Sequence, residues 1–450
     1  MTPPKAAPTM ALEVDKLMQY SAPRGTKDIM PDEAPLWNWL ESTFRKVCTL
    51  YGYSEIRTPI FEDTALFARS AGASSDIVTK QMYTFLDQGN TSLTLRPEGT
   101  PGVVRAYLEH GLAATSPVAR FFYIGPIFRY ERPQAGRYRQ HHQVGVECFG
   151  ISSPAADAEV ISLGNQYLSE LGITGTVLYL NSIGCRKCRP AYRQALLEFL
   201  RSVANSLCTD CQRRLEINPL RVLDCKVEGC KKATESAPVA RDYLCEECRE
   251  HFDALLQYLS DLDIPFEIDG RLVRGLDYYT RTVFEFKHSM GLGSQDTLIG
   301  GGRYDNLVEE FSGPPTPAVG FGSGIERTLM VAQALGIPMP SRNGPFVFVA
   351  TAGEAPLRKA LMLASQLRRS GIPTEMSEPG RSLKAQMRQA NRSGAKFAVI
   401  LGDDELKEDA AVVRRLATGE QSRVSLNRLV SYLQECAAHS AEVSETEVGA

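Results

Sequence analysis

Charged side chains that fall inside apolar, strand-like segments constrain this chain more than any other feature of its sequence. The pattern recurs in four segments, at 94–107, 125–150, 271–286 and 300–331. Burying a charge in a sheet is costly unless a partner compensates it, and arginine donates in a planar fork that suits phosphates. The pattern therefore predicts a sheet lined with arginine and glutamate that binds a charged ligand. The alternative is that these residues only pair with one another.

The cysteines predict a metal-binding insertion. Eight of the 11 cysteines lie between 185 and 248, in pairs spaced C-x2-C or C-x4-C. Such spacing is typical of metal ligation, and a cytosolic chain seldom uses such pairs as disulfides. The candidate ligands are Cys185, Cys188, Cys208, Cys211, Cys225, Cys230, Cys245 and Cys248.

A predicted helix at 190–206 separates the first cysteine pair from the second by roughly 25 Å, at about 1.5 Å per residue. This favours one group made of the second and third pairs and another made of the first and fourth. Four thiolates in each group predict a structural zinc ion with no open coordination position. A metal there is expected to stabilise folding and to leave the chemistry of the cleft unchanged. Free thiols are the alternative.

Length and composition narrow the class of protein. A chain of 450 residues corresponds to roughly three domains. Its formal net charge is -3, and no apolar run reaches the ~20 residues of a membrane-spanning helix. The N-terminus has no apolar stretch long enough for a signal peptide. We therefore expect a cytoplasmic protein with no membrane partner.

Apolar periodicity predicts the main helices and strands. A helix is expected from Pro35 to about Leu50, and another at 324–335. Strands are expected at 93–96, 120–130, 142–149, 282–287, 296–300 and 318–323. The polar, basic run between Phe128 and His142 is expected to be a hairpin loop that joins two antiparallel strands.

A second pattern begins after a linker at 341–345. Strands alternate with helices there, which predicts a separate α/β module at 344–436 with a parallel or mixed sheet. The module has 14 Lys and Arg against 10 Asp and Glu, a net charge of +4. Either a nucleic-acid-binding face or an ordinary solvated surface explains the surplus. Residues 1–20 and 437–450 are expected to be flexible extensions.

Several motifs resemble those of class II aminoacyl-tRNA synthetases. RTPIFED is similar to motif 1, with Pro59 at the position of the dimer-interface proline, while IFRYERP resembles motif 2 and GFGSGIER resembles motif 3. LRPEGT and RGLDYYTRTVFEF resemble signatures of the bacterial histidyl-tRNA synthetase family. The resemblance extends from about Arg24 to about Cys436, nearly the whole chain.

This resemblance implies an α+β fold. An antiparallel sheet with flanking helices would form the catalytic domain at 21–172 and 262–340. A helical Cys-rich insertion at 173–261 and a C-terminal α/β anticodon-binding domain at 344–436 would complete the chain, which would assemble as a homodimer. The implied reaction is ATP-dependent. L-histidine forms histidyl-adenylate and then passes to the 3′-terminal adenosine of the tRNA specific for histidine, with Mg²⁺ bridging phosphate oxygens.

The resemblance also implies roles for individual residues. Arg129 and Arg274 match catalytic residues that stabilise the reacting phosphate. The matching ATP contacts are Arg129, Glu131, Arg137 and Arg327. The matching histidine contacts are Glu98, Thr100 and Gln143 for the ammonium group, Glu147 and Tyr279 for the imidazole, and Tyr278 and Tyr304 around them. Gln134 and Arg139 match contacts to the tRNA acceptor end. The alternative for Tyr278 and Tyr304 is aromatic packing, and for the two loop residues it is solvation. His141 and His142 are expected at the surface or behind the contacting residues.

The main rival function is that of a histidine-binding regulatory subunit of ATP phosphoribosyltransferase, which shares the catalytic fold. Such a subunit typically lacks the anticodon domain and the signature residues, and this chain has both. A tRNA-binding sensor without catalysis is a second rival. Histidine-dependent ATP–pyrophosphate exchange separates the three functions.

Overall fold

The computed structural model describes residues 20–71, 77–134, 136–290, 296–342 and 344–448. The chain divides into two compact units, Met1–Pro340 and Ser341–Ala450. Within the described ranges, no helix combines the length and the apolar character that a membrane crossing requires.

An eight-stranded, largely antiparallel sheet forms the centre of the first unit. In spatial order its strands are Ser54–Glu55, Ala119–Phe128, Gln140–Phe149, Ala318–Gly324, Thr297–Arg303, Thr280–Lys287, Val177–Ser182 and Phe266–Ile268. The pair at each edge is parallel, and the five pairs between them are antiparallel. The predicted antiparallel sheet is therefore confirmed, and so is the hairpin, in which Phe128 pairs with Gln140.

Two long helices pack against this sheet. Ala34–Leu50 buries an apolar face that includes Phe44, and the ring of Phe44 lies 5.0 Å from that of Tyr167 on the helix Pro154–Glu170. Ser153 caps the second helix, because its hydroxyl accepts a hydrogen bond from the backbone amide of Ala155. A proline occupies the first position of the helix. Phe44 and Tyr167 thus join both helices to one core on a face of the sheet.

The other elements of the first unit are shorter. Among the described residues, its further helices are Thr64–Ala71, Thr100–Glu109, Leu112–Thr115, Arg189–Ser202, Thr209–Ile217, Leu220–Leu223, Glu228–Ala233, Glu246–Asp261, Leu307–Glu310 and Ile325–Ala334. A π-helical turn spans Ile77–Gln81, and 3₁₀ turns span Ala204–Ser206 and Ala240–Tyr243. A small antiparallel sheet contains Phe61–Asp63, Ser92–Leu95 and Tyr83–Leu86.

The predicted helix at 190–206 is wrong at its C-terminal end. The α-helix ends at Ser202, and a 3₁₀ turn follows at Ala204–Ser206. Asn205 and Ser206 favour such a break because their short polar side chains compete with helical backbone hydrogen bonds.

The second unit is built on a five-stranded mixed sheet. In spatial order its strands are Thr374–Met376, Val347–Ala352, Phe397–Gly402, Ala410–Arg415 and Gln421–Ser425. The first two pairs are parallel and the last two are antiparallel. Its helices are Leu357–Arg369, Leu383–Arg392, Asp403–Lys407 and Leu429–Val448.

The last helix differs from the sequence expectation. It extends to Val448 and so includes most of the segment predicted to be a flexible tail at 437–450. That segment is rich in alanine and glutamate, which favour helices, and contains no proline and no glycine before Gly449. Residues 1–19 of the predicted N-terminal extension lie outside the described residues.

Candidate active site

One cleft in the first unit gathers most of the site residues expected from the sequence. Its volume is about 890 Å³. The expected residues that line it are Glu98, Thr100, Arg129, Glu131, Arg137, Gln143, Glu147, Arg274, Tyr278, Tyr279, Tyr304 and Arg327. The sheet thus brings the four charged segments of the sequence into a single site.

Glycines on the neighbouring strand make room for two of these side chains. Gly320 pairs with Glu147 across the sheet, and a Cβ atom at Gly320 would collide with the carboxylate of Glu147. A Cβ atom at Gly322 would likewise collide with the amide of Gln143. Gly320 and Gly322 therefore form a surface, here called the glycine floor, that the side chains of Glu147 and Gln143 cover.

Two buried glutamates lie at the bottom of the cleft. The Thr100 hydroxyl donates to Oε1 of Glu147 at 2.6 Å, and the Tyr304 hydroxyl donates to Oε2. The Tyr278 hydroxyl donates to Oε2 of Glu98 at 3.1 Å. Burial raises the pKa of Glu98 to about 7 and that of Glu147 to about 8. Burial thus favours the protonated form of both groups, and a cationic or N–H-bearing ligand bound beside them would favour the carboxylate form again.

Two arginines face each other across the cleft. Arg129 follows the strand Ala119–Phe128, and its Nε donates to the carbonyl of Pro97 at 2.7 Å. Burial lowers the pKa of Arg129, and the positive charge of Arg274 lowers it further. Arg274 forms an ion pair with Glu285, which raises the pKa of Arg274 although burial opposes the shift. Two guanidinium groups that line one cleft and affect each other's pKa favour an anionic ligand.

The second pair of arginines lies towards the hairpin loop. Arg137 forms an ion pair with Glu131. Arg327 is on the helix Ile325–Ala334, and its Nε donates to the carbonyl of Gly136 at 2.9 Å. Burial lowers the pKa of Arg327, and Arg137 adds to the effect. Four arginines thus line the cleft, an arrangement that favours a ligand with several phosphates.

The two histidines of the hairpin occupy different environments. His141 lines the cleft, and its pKa is lowered to about 3 by burial and by the nearby Arg129. His142 packs its ring edge-on against Trp37 at 4.8 Å, and its backbone amide donates to Glu326 at 2.9 Å. The expected position at the surface or behind the contacting residues therefore fits His142, whereas His141 presents a neutral imidazole to the cleft.

Tyr123 and Glu285 are among the residues that line the cleft and that sequence reasoning missed. Tyr123 lies against Gly99 and Gly145, where a Cβ atom would collide with its ring. Its sequence context, an aromatic strand, gives no signal that separates it from a core residue. Glu285 carries a signal that could have been used, because it is a lone carboxylate in the apolar run TVFEF.

The two expected tRNA contacts lie outside the residues that line the cleft. Gln134 is exposed, and its backbone exchanges hydrogen bonds with that of Arg137. The guanidinium of Arg139 lies 4.0 Å from the centre of the Tyr130 ring, and its Nε donates to the carbonyl of Glu131 at 3.2 Å. Neither side chain therefore lines the cleft, although both residues bond to the backbone of expected ATP contacts.

The eight clustered cysteines form two groups of four, in which all Sγ atoms lie within 4.8 Å of one another. The groups are Cys185, Cys188, Cys245 and Cys248, and Cys208, Cys211, Cys225 and Cys230. These are the groups that the sequence spacing favours.

The distances between sulfur atoms fit metal ligation. Cys188 Sγ lies 3.7 Å from that of Cys185 and 3.8 Å from that of Cys248. In the second group, the Sγ atoms of Cys208 and Cys225 are 3.9 Å apart. Tetrahedral zinc with bonds of about 2.3 Å requires a separation of about 3.8 Å, whereas a disulfide requires about 2.05 Å.

Comparisons with known proteins find matches over most of the chain. A family model described as histidyl-tRNA synthetase matches residues 25–328, and one described as an anticodon binding domain matches residues 346–436. The chain is 50% identical to the histidine–tRNA ligase of Desulforamulus reducens, over 93% of this chain and 99% of that one. It is 49% identical to the same enzyme of Caldanaerobacter subterraneus subsp. tengcongensis, over 92% and 99%.

A solved structure of the same family is also similar to this chain. The crystal structure of apo histidyl-tRNA synthetase from S. aureus matches with a TM-score of 0.78 and 38% identity, and the match covers 92% of this chain and 100% of that one. The antiparallel sheet, its cleft and these matches define a class II aminoacyl-tRNA synthetase. Within that class, the chain belongs to the histidyl-tRNA synthetase family. The activity expected from the sequence, ATP-dependent ligation of L-histidine to tRNA, is confirmed.

Proposed function

We propose that the residues of this cleft divide between an ATP end and a histidine end, and that histidyl-adenylate forms where the two ends meet. A carboxylate oxygen of histidine attacks the α-phosphorus of ATP, and the bond to the β-phosphate oxygen breaks to release pyrophosphate. The observation that carries the proposal is the convergence of twelve expected side chains on one cleft of about 890 Å³.

At the ATP end, Arg129 and Arg274 neutralise the charge that grows on the α-phosphate. Donors that are already in place cost no reorganisation at the moment of reaction, and Arg274 is kept in place by its ion pair with Glu285. Arg137 and Arg327 hold the outer phosphates, and Glu131 contacts the adenine end. ATP-dependent synthetases use Mg²⁺ generally, and here we assign it to the phosphate oxygens.

At the histidine end, Glu98, Thr100 and Gln143 bind the ammonium group. Glu147 accepts a hydrogen bond from an imidazole N–H, and Tyr279 orients the ring. Burial supports this assignment, because a hydrogen-bonding site rejects analogues that leave its buried groups unpaired. Tyr304 and Tyr278 hold the two glutamates in position, at the hydroxyl contacts described above.

The rest of the chain serves tRNA and assembly. We assign the catalytic domain to 21–172 and 262–340, the Cys-rich insertion to 173–261, and the reading of the anticodon to 344–436. Gln134 and Arg139 contact the acceptor end after the loop rearranges. Assembly as a homodimer through the segment around Pro59, a cytoplasmic location and one structural zinc ion in each cysteine group complete the proposal.

The decisive experiment compares partial and complete reactions. Purified protein is assayed for histidine-dependent ATP–pyrophosphate exchange and for histidine transfer to tRNA. Exchange that requires histidine, together with charging, supports the proposal. Histidine binding without exchange would identify a regulatory subunit instead.

A further inference from the structure

We infer that the Cys185–Cys188–Cys245–Cys248 group, with a zinc ion bound, positions Tyr279 in the histidine pocket, and that Arg189 makes the connection. The inference rests on the proposed function, because it takes Tyr279 as a histidine contact. It also changes the expectation that a metal in the insertion leaves the chemistry of the cleft unaffected.

The first half of this group fixes the start of a helix. Cys188 is the residue directly before the helix Arg189–Ser202. Backbone amides hold its loop, because the amide of Cys185 donates to Cys188 Sγ at 3.1 Å and that of Lys187 donates to Cys185 Sγ at 3.3 Å. Amide donors of this kind orient thiolate ligands and balance their charge. A bound metal would therefore hold the first helical turn at a defined place.

Arg189, the first residue of that helix, reaches the histidine pocket. Its guanidinium donates to the backbone carbonyl of Tyr279, and the side chain of Tyr279 is buried beside Tyr278, with 4.7 Å between ring centres. Tyr278 in turn donates to Glu98. One hydrogen bond thus connects the residue after a candidate metal ligand with the tyrosine pair at the histidine end.

Arg281, two residues after Tyr279, contacts chain segments next to both halves of the cysteine group. The amide of Arg281 donates to the carbonyl of Gly184, next to Cys185, at 2.9 Å. The guanidinium of Arg281 forms an ion pair with Glu247, which lies between Cys245 and Cys248 in the chain. Arg281 has a φ of 49°, an uncommon conformation for a residue other than glycine that persists only where its surroundings fix it.

Contacts from Arg189, Gly184 and Glu247 thus hold residues 279–281 in place. Strain at Arg281 and the donated bond to Tyr279 both depend on backbone that the four thiolates would hold together. Without the metal, no ligand bonds would join the loop at Cys185 to the start of the helix Glu246–Asp261, and only side-chain packing and polar contacts would remain. The consequence is a looser Tyr279 and weaker binding of histidine, with little effect on ATP.

The test uses Arg189→Ala, Arg189→Lys and a control, Arg201→Ala. Arg201 is on the same helix, is exposed, and forms an ion pair with Glu216. Zinc content is measured by elemental analysis, and the KM values for histidine and ATP are measured by pyrophosphate exchange. Arg189→Ala is expected to keep its zinc and to raise the histidine KM roughly tenfold, since a hydrogen bond from a charged donor is lost. Its ATP KM should change less than about twofold.

Two comparisons complete the design. Arg189→Lys, which keeps a donor, should recover part of the histidine affinity, and Arg201→Ala should match the wild type. Cys188→Ser should lose about one zinc ion per chain and raise the histidine KM at least as much as Arg189→Ala. If Cys188→Ser does not fold, stepwise chelation of the wild-type protein, followed by zinc analysis and histidine titration, replaces it.

The outcomes distinguish this inference from the function on which it rests. A wild-type histidine KM in Arg189→Ala, or an equal rise in both KM values, overturns the positioning role. Absence of zinc from protein purified without chelators overturns the role of the metal. Tyr279→Ala serves as the reference, because an unchanged histidine KM in that variant would show that the pocket assignment itself is wrong.

Discussion

Arg274 and Glu285 face one another inside the cleft, where a Cβ atom at Gly300 would collide with the guanidinium. The positive charge is therefore fixed in place before any substrate binds. Arg129, on the opposite side, is held by the carbonyl of Pro97 and has a lowered pKa because of burial. At the scale of residues, the groups that hold Arg274 and Arg129 therefore determine where the cleft presents positive charge.

Replacing Arg274 by alanine tests the catalytic assignment. We expect Arg274→Ala to slow histidine-dependent exchange by about 10²–10³-fold, because it removes a donor to charge that develops in the transition state. Histidine binding, measured by calorimetry without ATP, should change much less. Arg201→Ala, at an exposed ion pair in the insertion, is the matched control. Exchange rates near those of the wild type in Arg274→Ala would contradict the assignment.

Replacing Glu147 tests the recognition of imidazole. Glu147→Ala is expected to raise the histidine requirement far more than the ATP requirement, because it removes the acceptor for the ring N–H and leaves the hydroxyls of Thr100 and Tyr304 without their partner. Steady-state exchange at varied histidine and varied ATP measures both. Equal effects on the two substrates would mean that Glu147 supports the sheet and does not recognise histidine.

The raised pKa values of Glu98 and Glu147 predict a pH dependence of stability. Because both are raised above 4.5 in the folded protein, to about 7 and about 8, folding favours the protonated form. Their contribution to stability is present below about 4.5 and is lost as the pH rises through these two values. The melting temperature of the ligand-free protein should fall from pH 5 to pH 9 more than that of Glu98→Gln/Glu147→Gln. Parallel profiles would contradict the raised pKa values.

At the scale of elements, one buried ion pair fastens a helix to the sheet. Asp157 in the helix Pro154–Glu170 and Arg303 in the strand Thr297–Arg303 are both fully buried, with 2.5 Å between Arg303 Nη2 and Asp157 Oδ2. His251, from the helix Glu246–Asp261, approaches the same carboxylate at 3.3 Å. A single carboxylate thus joins three elements, and its removal would leave a buried positive charge.

We therefore expect Asp157→Asn to destabilise the first unit by about 3–5 kcal/mol. Thermal unfolding followed by circular dichroism measures the loss, and Glu216→Gln, at the exposed pair with Arg201, should leave the melting temperature unchanged. Asp157→Leu combined with Arg303→Met, which removes both charges, should recover part of the lost stability. A melting temperature for Asp157→Asn equal to that of the wild type would contradict the fastening role.

Elements with strong apolar or aromatic patterns could be predicted from the sequence, and weaker ones could not. The hairpin strands Ala119–Phe128 and Gln140–Phe149 are found within two residues of their predicted bounds. Ser54–Glu55 is too short to give a periodic signal, and Gln421–Ser425 is largely exposed and polar. The burial of Asp157 against Arg303 could not be predicted either, because the two lie 146 residues apart.

At the scale of the whole molecule, a metal bound by the two cysteine groups would stabilise the fold. The two groups lie in an insertion that has its own small apolar core. Small cores of this kind contribute little stability, and a bound metal would add to it. Binding free energy at such sites acts as folding free energy.

We expect purified protein to contain about two zinc ions per chain, one for each group. Cys208→Ser/Cys211→Ser should lower the zinc content and the melting temperature together, while adenylate exchange below that temperature should persist. A stoichiometry near zero, with all eight thiols titratable in the native protein, would refute the zinc sites. A stoichiometry near one would mean that a single group is occupied.

The glycine floor of the cleft has a consequence for how this enzyme could be redesigned. Glu147 and Gln143 occupy space that exists only because Gly320 and Gly322 have no side chains. On the proposed assignment, the amino-acid preference depends on the absence of side chains at Gly320 and Gly322 as much as on the groups that bind. A larger residue on the floor would displace a recognition group, so a library built to accept another amino acid has to vary each glycine together with the side chain above it.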